Sequence, residues 1–266
     1  PSDVEEIAYK AFYTCSPVPV ALDLNEVKKI GKEAFSGCLD LTHVTIGKNV
    51  NEIGDGAFAE CHKISAFTVD AANTTYNGVD GVIFSENGEH LVLYPAAKTG
   101  DYTTPAGTKY IDAQAFRSVN KLKNITIGNS VERIEESAFR YSSLESVTFE
   151  ETSKVNFIGH HAFNETKLTN VTLPVSLQAL DATAFYNVRP LQEVHVQDGS
   201  QLTTIQGAAF SDNPNLTTFK FDGSSVAAYI GVQTFANDPK LTSFEIPSTV
   251  TFIDQGAFQN TPALET

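Results

Sequence analysis

Positively charged residues are scarce in this sequence of 266 residues. It has 18 Lys and Arg against 32 Asp and Glu, which gives a formal net charge of −14 and a pI of about 4.8. A surface with this charge repels phosphate groups. Nucleic acid, whose binding depends on cationic contacts with phosphate, and anionic membrane surfaces are therefore poor candidates for partners, and we predict no nucleic-acid binding.

Long apolar runs and catalytic sequence motifs are also missing. No run approaches the ~20 residues that span a bilayer, so we expect no membrane insertion. The sequence has no G-x-S-x-G, P-loop or G-x-G-x-x-G motif, and no residues whose spacing would bring a nucleophile to its base. We therefore assign no catalytic or cofactor-binding residues and predict that the protein is not an enzyme.

Metal-binding patterns are absent as well. There is no C-x-x-C pair, no matched histidine spacing and no D-x-D-x-D-G run, and His160-His161 is not an H-x-x-x-H pair. Asp-Gly-Ser occurs at 198–200 and 222–224, where it is typical of ordinary turns. We therefore expect no bound metal.

One six-residue pattern, clearest at 30–35 as Ile-Gly-Lys-Glu-Ala-Phe, recurs along the whole sequence. Successive copies are 22–25 residues apart, except for one step of 58 residues between Phe58 and Phe116. Such a period is typical of a solenoid, whose coils are too small to bury their own apolar faces and stack on one another. The other copies end at Phe12, Phe58, Phe116, Phe139, Phe163, Phe185, Phe210, Phe235 and Phe258.

Each full coil also contains two apolar segments with different spacing. In the first, Val44 and Ile46 alternate with Thr45, which is the pattern of a strand with one buried face. A turn and a V-x-x-I segment follow, as at 50–53. We expect the Val and Ile side chains to point inward and Thr45 outward. The equivalent inward pairs are Val147/Phe149, Val171/Leu173, Val194/Val196, Phe219/Phe221 and Phe244/Ile246.

We expect the Ala-Phe pair of each copy to lie on a short helical or 3₁₀ turn. The residue that opens this turn is Gly in some coils, as at Gly31, and Gly permits a tight turn. In others it is Asp, as at Asp181 and Asp254, whose carboxylate can accept hydrogen bonds from the next backbone N–H groups. Small Ala side chains allow the coils to approach, and the Phe side chains should form an internal column.

The combined pattern C-x-x-L-x-x-V-x-I…V-x-x-I-G-x-x-A-F-x-x-C resembles the BspA-like (Treponema pallidum type) leucine-rich repeat. Residues 38–61 match it at every anchor. Repeat and resemblance together predict an α/β leucine-rich-repeat solenoid, a right-handed superhelix of short β-strands and 3₁₀ or short helical turns with about eleven coils. We assign residues 1–266 to one solenoid domain with an irregular coil at 70–105. The chain starts and stops within a repeat, so we expect it to be a fragment of a longer protein.

The irregular coil contains a predicted β-hairpin. Asn87-Gly88 lies between two apolar runs, which is the pattern of a type I′ turn. Both faces of this hairpin are apolar, so we expect it either to be sandwiched between coils or to offer a surface patch. The pairs in this register are Phe84 with Leu91, Val82 with Leu93, and Ile83 with Val92.

Four of the nine tyrosines lie in or next to the irregular coil, at Tyr76, Tyr94, Tyr102 and Tyr110. One interpretation is an aromatic recognition surface for a glycan or a protein. The other is that a wider, irregular coil needs large rings to fill its core. We keep these tyrosines as alternative binding residues.

The three cysteines, Cys15, Cys38 and Cys61, each follow a repeat Phe by three residues. They should form a column with neighbours ~4.8 Å apart, which is within the Cα range of a disulfide. However, side chains in a column point in parallel, which disfavours the crossed geometry of a disulfide. We expect buried free thiols, with one disulfide and one free thiol as the alternative.

The outward strand positions carry Thr in most coils and mixed side chains toward the C-terminus. Thr suits an exposed strand surface and needs no functional explanation. Diversified outward residues, in contrast, are how solenoids of this kind present a binding surface. The predicted binding residues are Glu193, His195, Thr218, Lys220, Ser243 and Glu245.

Three functions remain open at this point. The resemblance implies a secreted or cell-surface, adhesin-like bacterial module that binds a protein ligand of the extracellular matrix or of another cell. The second hypothesis is a non-catalytic structural spacer within a larger surface protein. The third is a glycan-binding accessory module, which depends on the tyrosines.

Overall fold

The chain folds into a solenoid of about eleven turns, each stacked on the one before it. The computed structural model describes residues 4–85, 87–224 and 226–265. These residues form twenty-two short β-strands, numbered in chain order, and no helix. Most strands lie on one of two faces of the solenoid. The first face is built from the L-x-x-V-x-I segments and the second face from the V-x-x-I segments.

The two faces and one insert account for these strands. The first face contains β2 (Ala21–Asp23), β4 (His43–Ile46), β6 (Ala66–Val69), β10 (Tyr102–Thr103), β12 (Asn124–Ile127), β14 (Ser146–Phe149), β16 (Asn170–Leu173), β18 (Glu193–Val196) and β20 (Thr218–Phe221). The second face contains β1 (Glu6–Ile7), β3 (Lys29–Ile30), β5 (Glu52–Ile53), β11 (Tyr110–Ile111), β13 (Arg133–Ile134), β15 (Phe157–Ile158), β17 (Ala179–Leu180), β19 (Thr204–Ile205), β21 (Tyr229–Ile230) and β22 (Phe252–Ile253). The insert contains β7 (Tyr76–Val79), β8 (Val82–Ser85) and β9 (His90–Leu93).

Parallel, in-register pairing joins neighbouring coils on both faces. Val44 lies opposite Phe67 and Thr45 opposite Thr68, so equivalent positions form columns. The first-face strands pair in threes, as β2-β4-β6, β10-β12-β14 and β16-β18-β20. The second face has a three-stranded sheet, β1-β3-β5, and its remaining strands join the insert in a ten-stranded sheet. Val44 and Phe67 are buried whereas Thr68 is exposed, which confirms the predicted alternation in these strands.

The repeat Phe side chains form the predicted internal column. Phe116, Phe139 and Phe163 are fully buried, and successive ring centroids are 4.7 Å and 5.0 Å apart. The stack continues through the C-terminal coils, and a shorter stack of three rings precedes the insert. Each interior ring therefore packs both of its faces against equivalent rings.

The turn that carries Ala-Phe is not helical, so the predicted helical or 3₁₀ turn and the α/β class are wrong, and the described residues form a β-solenoid. Within 31–38, the backbone N–H groups alternate between two kinds of acceptor. Ala34 N–H donates to Gly31 O in its own coil at 3.1 Å, whereas Phe35 N–H donates to Ala57 O of the next coil at 2.8 Å. A helix requires its N–H groups to point back along its own axis. Because every second N–H here points to the next coil, the segment forms consecutive turns instead.

Two columns of left-handed residues accompany these turns. In every copy, the residues two before and two after the Phe have positive φ, as at Glu33 with +54° and Gly37 with +75°. Most of these positions hold residues other than Gly, although the left-handed region costs an L-residue roughly 1–2 kcal/mol. The side chains at these positions vary from coil to coil, so the sequence contained no signal for them.

Ala208→Gly is expected to raise the free energy of unfolding by about 1 kcal/mol. Ala208 has a φ of +54°, and its N–H donates to Val232 O, a bond that Gly would retain. Urea unfolding followed by circular dichroism measures the change. Ala209→Gly is the matched control, because Ala209 is fully buried and lies outside the left-handed region, so this variant should lose about 1 kcal/mol. A lower free energy of unfolding in both variants would show that the positive φ of Ala208 does not destabilise the protein.

The Asp residues that open some turns make the hydrogen bonds predicted for them. Asp181 Oδ1 accepts from Ala182 N–H and Asp254 Oδ1 from Gln255 N–H, both at 2.7 Å. The backbone bond, with a second bond from the Tyr229 hydroxyl, holds the pKa of Asp254 below its usual value. These carboxylates therefore anchor the start of a turn rather than the start of a helix.

An antiparallel insert interrupts the parallel coils. Strand β8 pairs with both β7 and β9, and β9 then pairs in parallel with β11 in place of a second-face strand. Ile83 and Leu93 join the apolar cluster of the N-terminal coils, whereas Val82 and Phe84 join the cluster of the C-terminal coils. The insert is therefore sandwiched between two parts of the core, which was one of the two expectations. The assignment of residues 1–266 to one domain stays a prediction.

The register of this hairpin differs from the prediction in part. Phe84 lies opposite Leu91 as predicted, but Leu93 lies opposite Ile83 because the ladder shifts between Ile83 and Phe84. This shift lets Leu93 and Ile83 face one part of the core while Phe84 faces the other. The predicted pairs that do not form are Val82 with Leu93 and Ile83 with Val92.

The turn of the hairpin also differs from a type I′ turn centred on Asn87-Gly88. Gly88 N–H donates to Ser85 O at 2.8 Å, and Glu89 N–H donates to Oδ1 of Asn87 at 3.2 Å. Gly88 does have a positive φ of +74°, as its position in the pattern suggested. Glu86, which would be the first residue of a turn centred on Asn87-Gly88, lies outside the described residues.

The last first-face segment, at 243–246, does not form a strand. It meets β20 at one bridge, between Ser243 and Thr218. Phe244 packs against the core, but Ile246, which we predicted to point inward, is 51% exposed. The alternating pattern therefore predicted the inward side chain of Phe244 correctly and that of Ile246 wrongly.

The three cysteines are free thiols, as predicted. Cys38 and Cys61 are fully buried, and each thiol donates at 3.1 Å to the carbonyl of a repeat Phe in the preceding coil, Phe12 or Phe35. Burial raises the pKa of Cys61 to about 12, so this thiol stays protonated. Cys15 is exposed, contrary to the prediction, because it lies in the first coil of the described stack.

Candidate binding surface

The outward positions of the first face change character along the solenoid. Thr126 lies opposite Thr148 in the central coils. In the C-terminal coils the series continues from Thr172 to His195 and Lys220 on adjacent strands. The surface therefore changes from a row of hydroxyl groups to a region of mixed charge between β16 and β20.

The predicted binding residues lie next to one another, and we call them the C-terminal patch. Glu245 is exposed and lines a cleft across from Lys220. The strand pairings bring the remaining members together directly. The partners are Glu193 with Thr218, His195 with Lys220, and Thr218 with Ser243.

Asp222 also belongs to this region, although sequence reasoning did not select it. Its carboxylate lies 3.1 Å from Nδ1 of His195 and 3.5 Å from Nζ of Lys220. Glu193 approaches the other ring nitrogen of His195 at 3.8 Å. The imidazole is therefore held between two carboxylates. Asp222 could have been selected because it directly follows β20. We had interpreted Asp-Gly-Ser at 222–224 only as the sequence of an ordinary turn.

A cleft opens beside the patch where β20 and the following segment separate. Its volume is about 620 Å³, and it is lined by residues 220–224 on one side and 245–248 on the other. Lys220, Asp222 and Glu245 bring charges of both signs to it. Small-molecule pockets are usually enclosed and mostly apolar. An open cleft with charged walls suits a segment of polypeptide better.

Two of the four alternative tyrosines belong to the core. Tyr94 is 5% exposed and stacks on Phe116 with ring centroids 4.6 Å apart. The Tyr102 ring meets Tyr94 edge-on at 4.9 Å. Burial raises the pKa of Tyr94 to about 12. Both rings therefore extend the Phe column into the insert rather than line a surface.

Of the other two tyrosines, Tyr76 lies on β7 of the insert and Tyr110 on β11 of the second face. The Tyr76 hydroxyl accepts a hydrogen bond from the backbone N–H of Ile53 at 3.0 Å, so it satisfies a donor at the end of β5. Tyr110 stacks on His90 with centroids 4.5 Å apart. The four rings thus do not form one common recognition surface.

The histidine pair at 160–161 has a structural environment. Nδ1 of His160 lies 2.9 Å from the carbonyl oxygen of Ala182, and burial lowers the pKa of His161 to about 4. Among residues 4–85, 87–224 and 226–265, no three His, Cys, Asp or Glu side chains are grouped so that they could hold a metal ion. The same residues form no helix long and apolar enough to cross a membrane.

The match to a family model decides the classification of this solenoid. The model of the BspA type leucine rich repeat region matches residues 1–85, 94–156 and 152–265, in six copies. The chain belongs to the BspA-type leucine-rich repeat family. The unmatched stretch between the first two segments contains β9 of the insert. Leucine-rich repeats of this family are generally non-catalytic.

Solved structures share the fold of this solenoid at low sequence identity. A leucine-rich cell surface protein from Faecalibacterium prausnitzii A2-165 is 22% identical, with a TM-score of 0.67 over 82% of this chain and 63% of its own length. A leucine-rich repeat protein from Eubacterium ventriosum is 20% identical, with a TM-score of 0.66 over 98% and 81%. The pneumococcal vaccine antigen PcpA is 22% identical, with a TM-score of 0.61 over 93% and 65%. No curated protein matches the chain. These likenesses show the fold alone.

Proposed function

We propose that this BspA-type repeat is a secreted or cell-surface bacterial module that binds a protein ligand of the extracellular matrix or of another cell. The observation that carries the proposal is the C-terminal patch, where His195 lies between Glu193 and Asp222 and beside Lys220. Charged groups in a fixed arrangement select partners by charge complementarity. The description of the Faecalibacterium protein as a cell surface protein supports the location.

The rest of the described surface offers weaker support for a specific site. The outward columns of the N-terminal and central coils are mostly Thr, which gives few distinguishing contacts. A glycan-binding role has less support than protein binding, because Tyr94 and Tyr102 pack into the core. We therefore assign recognition to the C-terminal patch, with adhesion as its biological result.

The charge-swap variant Lys220→Glu with Glu245→Lys is expected to weaken partner binding by at least about tenfold, which is roughly 1.4 kcal/mol. The reason is that it reverses the charge order along the patch without changing the net charge. The measurement is surface plasmon resonance against a panel of immobilised matrix proteins, using the partner that the unmodified chain binds.

Thr126→Glu with Thr148→Lys is the matched control, because it places the same two charges on the outward column of other coils. This control should bind like the unmodified chain. Unchanged affinity in the charge-swap variant, together with lost binding in Tyr110→Ala, would move the site to the second face, where Tyr110 stacks on His90 of the insert. If the unmodified chain binds no protein of the panel, a spacer function is favoured.

A further inference from the structure

The sheet formed by β16, β18 and β20 ends in a gap rather than at the next coil. Beyond the bridge between Thr218 and Ser243, no described residue continues the pairing on that side of β20. The following segment diverges, and the cleft described above separates it from β20. A strand edge is therefore exposed inside the C-terminal patch.

Pro247 provides a physical reason for this gap. In other coils the residue that follows the first-face strand donates its N–H to the preceding coil, as Asp70 does to Ile46 O and Asp222 does to Val196 O. Pro247 occupies this position in the last coil and has no N–H to donate. Another Pro stands at the same position after β16, where pairing with β14 is also absent from the sheet.

The exposed edge presents backbone groups in a known order. In a parallel ladder, successive residues direct their N–H and C=O groups to opposite neighbours. Thr218 and Asp222 donate toward the preceding coil, whereas Thr217 O accepts from the following coil. By this alternation, the C=O of Phe219 and both backbone groups of Phe221 face the cleft. Such an edge is a template for an added strand.

Charge indicates which kind of strand the edge accepts. Asp222 and Glu245 lie on opposite sides of the cleft, and the whole chain has a net charge of −14. The described lining has two carboxylates against one cation, Lys220, which lies 3.5 Å from Asp222. An extended segment with basic side chains therefore fits the cleft better than an acidic one.

We propose that the cleft binds an extended, basic segment of the partner protein, which adds to the sheet by backbone hydrogen bonds with Phe219 and Phe221. This inference rests on the proposed protein-binding function and specifies its mode. The backbone bonds would supply affinity for any extended segment, and Asp222 with Glu245 would select basic side chains. Ile246 is 51% exposed at the same cleft and offers an apolar contact between the basic positions.

The test uses three synthetic peptides and fluorescence anisotropy at low salt. The first alternates Lys and Val over seven residues with blocked ends, and the second is the same peptide with alternate backbone nitrogens methylated. The third has Glu in place of Lys. We expect the first peptide to bind, and the second to bind at least about tenfold more weakly because it lacks the N–H groups that donate to the edge. The third should not bind.

Two further measurements locate the bound peptide. Hydrogen exchange of the Phe221 amide should slow when the first peptide is added. Asp222→Asn with Glu245→Gln should weaken that peptide at least about tenfold. Asp101→Asn with Glu151→Gln neutralises two exposed acids in other coils and is the matched control. This variant should bind the first peptide as the unmodified chain does.

The outcomes separate this inference from the proposed function. Equal affinity of the first two peptides, with no protection of Phe221, would overturn strand addition and leave the patch as a charged binding surface. Failure of the first peptide to bind would also overturn strand addition, even where the Lys220 and Glu245 charge swap alters partner affinity. If that charge swap has no effect on the partner either, the proposed site is wrong as well.

Discussion

Phe139→Ala is expected to lower the free energy of unfolding by about 3–5 kcal/mol. The Phe139 ring is fully buried and stacks on Phe116 and Phe163 at 4.7 Å and 5.0 Å. Truncation removes the ring from the middle of the column and leaves both neighbours with one uncovered face. Because a solenoid is stabilised by contacts between adjacent coils, the loss should weaken the coupling between the two halves of the stack.

Urea unfolding followed by circular dichroism measures this loss, and hydrogen exchange shows whether it spreads from the central coils. Thr148→Ala is the matched control, because Thr148 lies on an exposed outward position one coil further along the chain. Its effect should stay within roughly 0.5 kcal/mol. Similar shifts in the urea midpoint for both variants would mean that the inward and outward faces are reversed.

The columns of the solenoid were predictable because a repeat provides the same information many times. Alternation around Val44 and Ile46 indicated which side chains point inward, and the constant period indicated that they stack. The same logic failed at Ile246, where the alternation continues but Pro247 lacks the N–H that joins the segment to β20. The proline alone does not account for the exposure of Ile246, because Leu173 also precedes a proline and is fully buried.

The turn geometry was not predictable from helix signals. Gly or Asp before an Ala-Phe pair is consistent with a helix start, and Asp181 does bond to the next N–H. The decisive fact is that Phe35 N–H reaches Ala57 O in the next coil, which is a contact between coils. Neighbouring coils determine the direction of these N–H groups. The helix-start signals of a single segment therefore could not predict it.

The candidate binding region was selected by its mixed composition, and its geometry was only partly predictable. Register along the sheet places His195 beside Lys220, and this followed from the repeat period. The contact between His195 and Asp222 joins a strand to the corner after the next strand, 27 residues later. The register fixes the backbone of Asp222 beside Val196, but sequence spacing does not indicate the direction of a side chain, so the contact with His195 was not predictable.

Asp238 is a fully buried carboxylic acid in the C-terminal coils. It follows Phe235 by three residues, at the position that Cys61 and Asn213 occupy in their coils. Both of those side chains donate hydrogen bonds to carbonyl oxygens of repeat Phe residues. Oδ1 of Asp238 accepts from Asn213 N–H at 2.8 Å, but Oδ2 is buried and has no partner among the described residues. A protonated Oδ2 would be a donor, as the equivalent side chains are.

Burial raises the pKa of Asp238 to about 9, and the nearby Asp212 carboxylate acts in the same direction, while the bond from Asn213 N–H opposes them. The folded state therefore keeps a proton that the unfolded chain releases above about pH 4. A raised pKa of this kind contributes stability that is fully present below about pH 4 and is lost as the pH rises toward about 9. Stability should thus fall with pH through this window.

Asp238→Asn is expected to raise the free energy of unfolding by about 3 kcal/mol at pH 8 and to change it little at pH 4. Asn does not ionise, and its amide can donate as the Asn213 amide does. Urea midpoints at pH 4, 6 and 8 measure the difference between the two proteins. Glu151→Gln removes an exposed carboxylate, controls for net charge and should stay within roughly 0.5 kcal/mol. An equal gain at pH 4 and pH 8 would show that Asp238 keeps one protonation state across this range, and that the gain comes from packing alone.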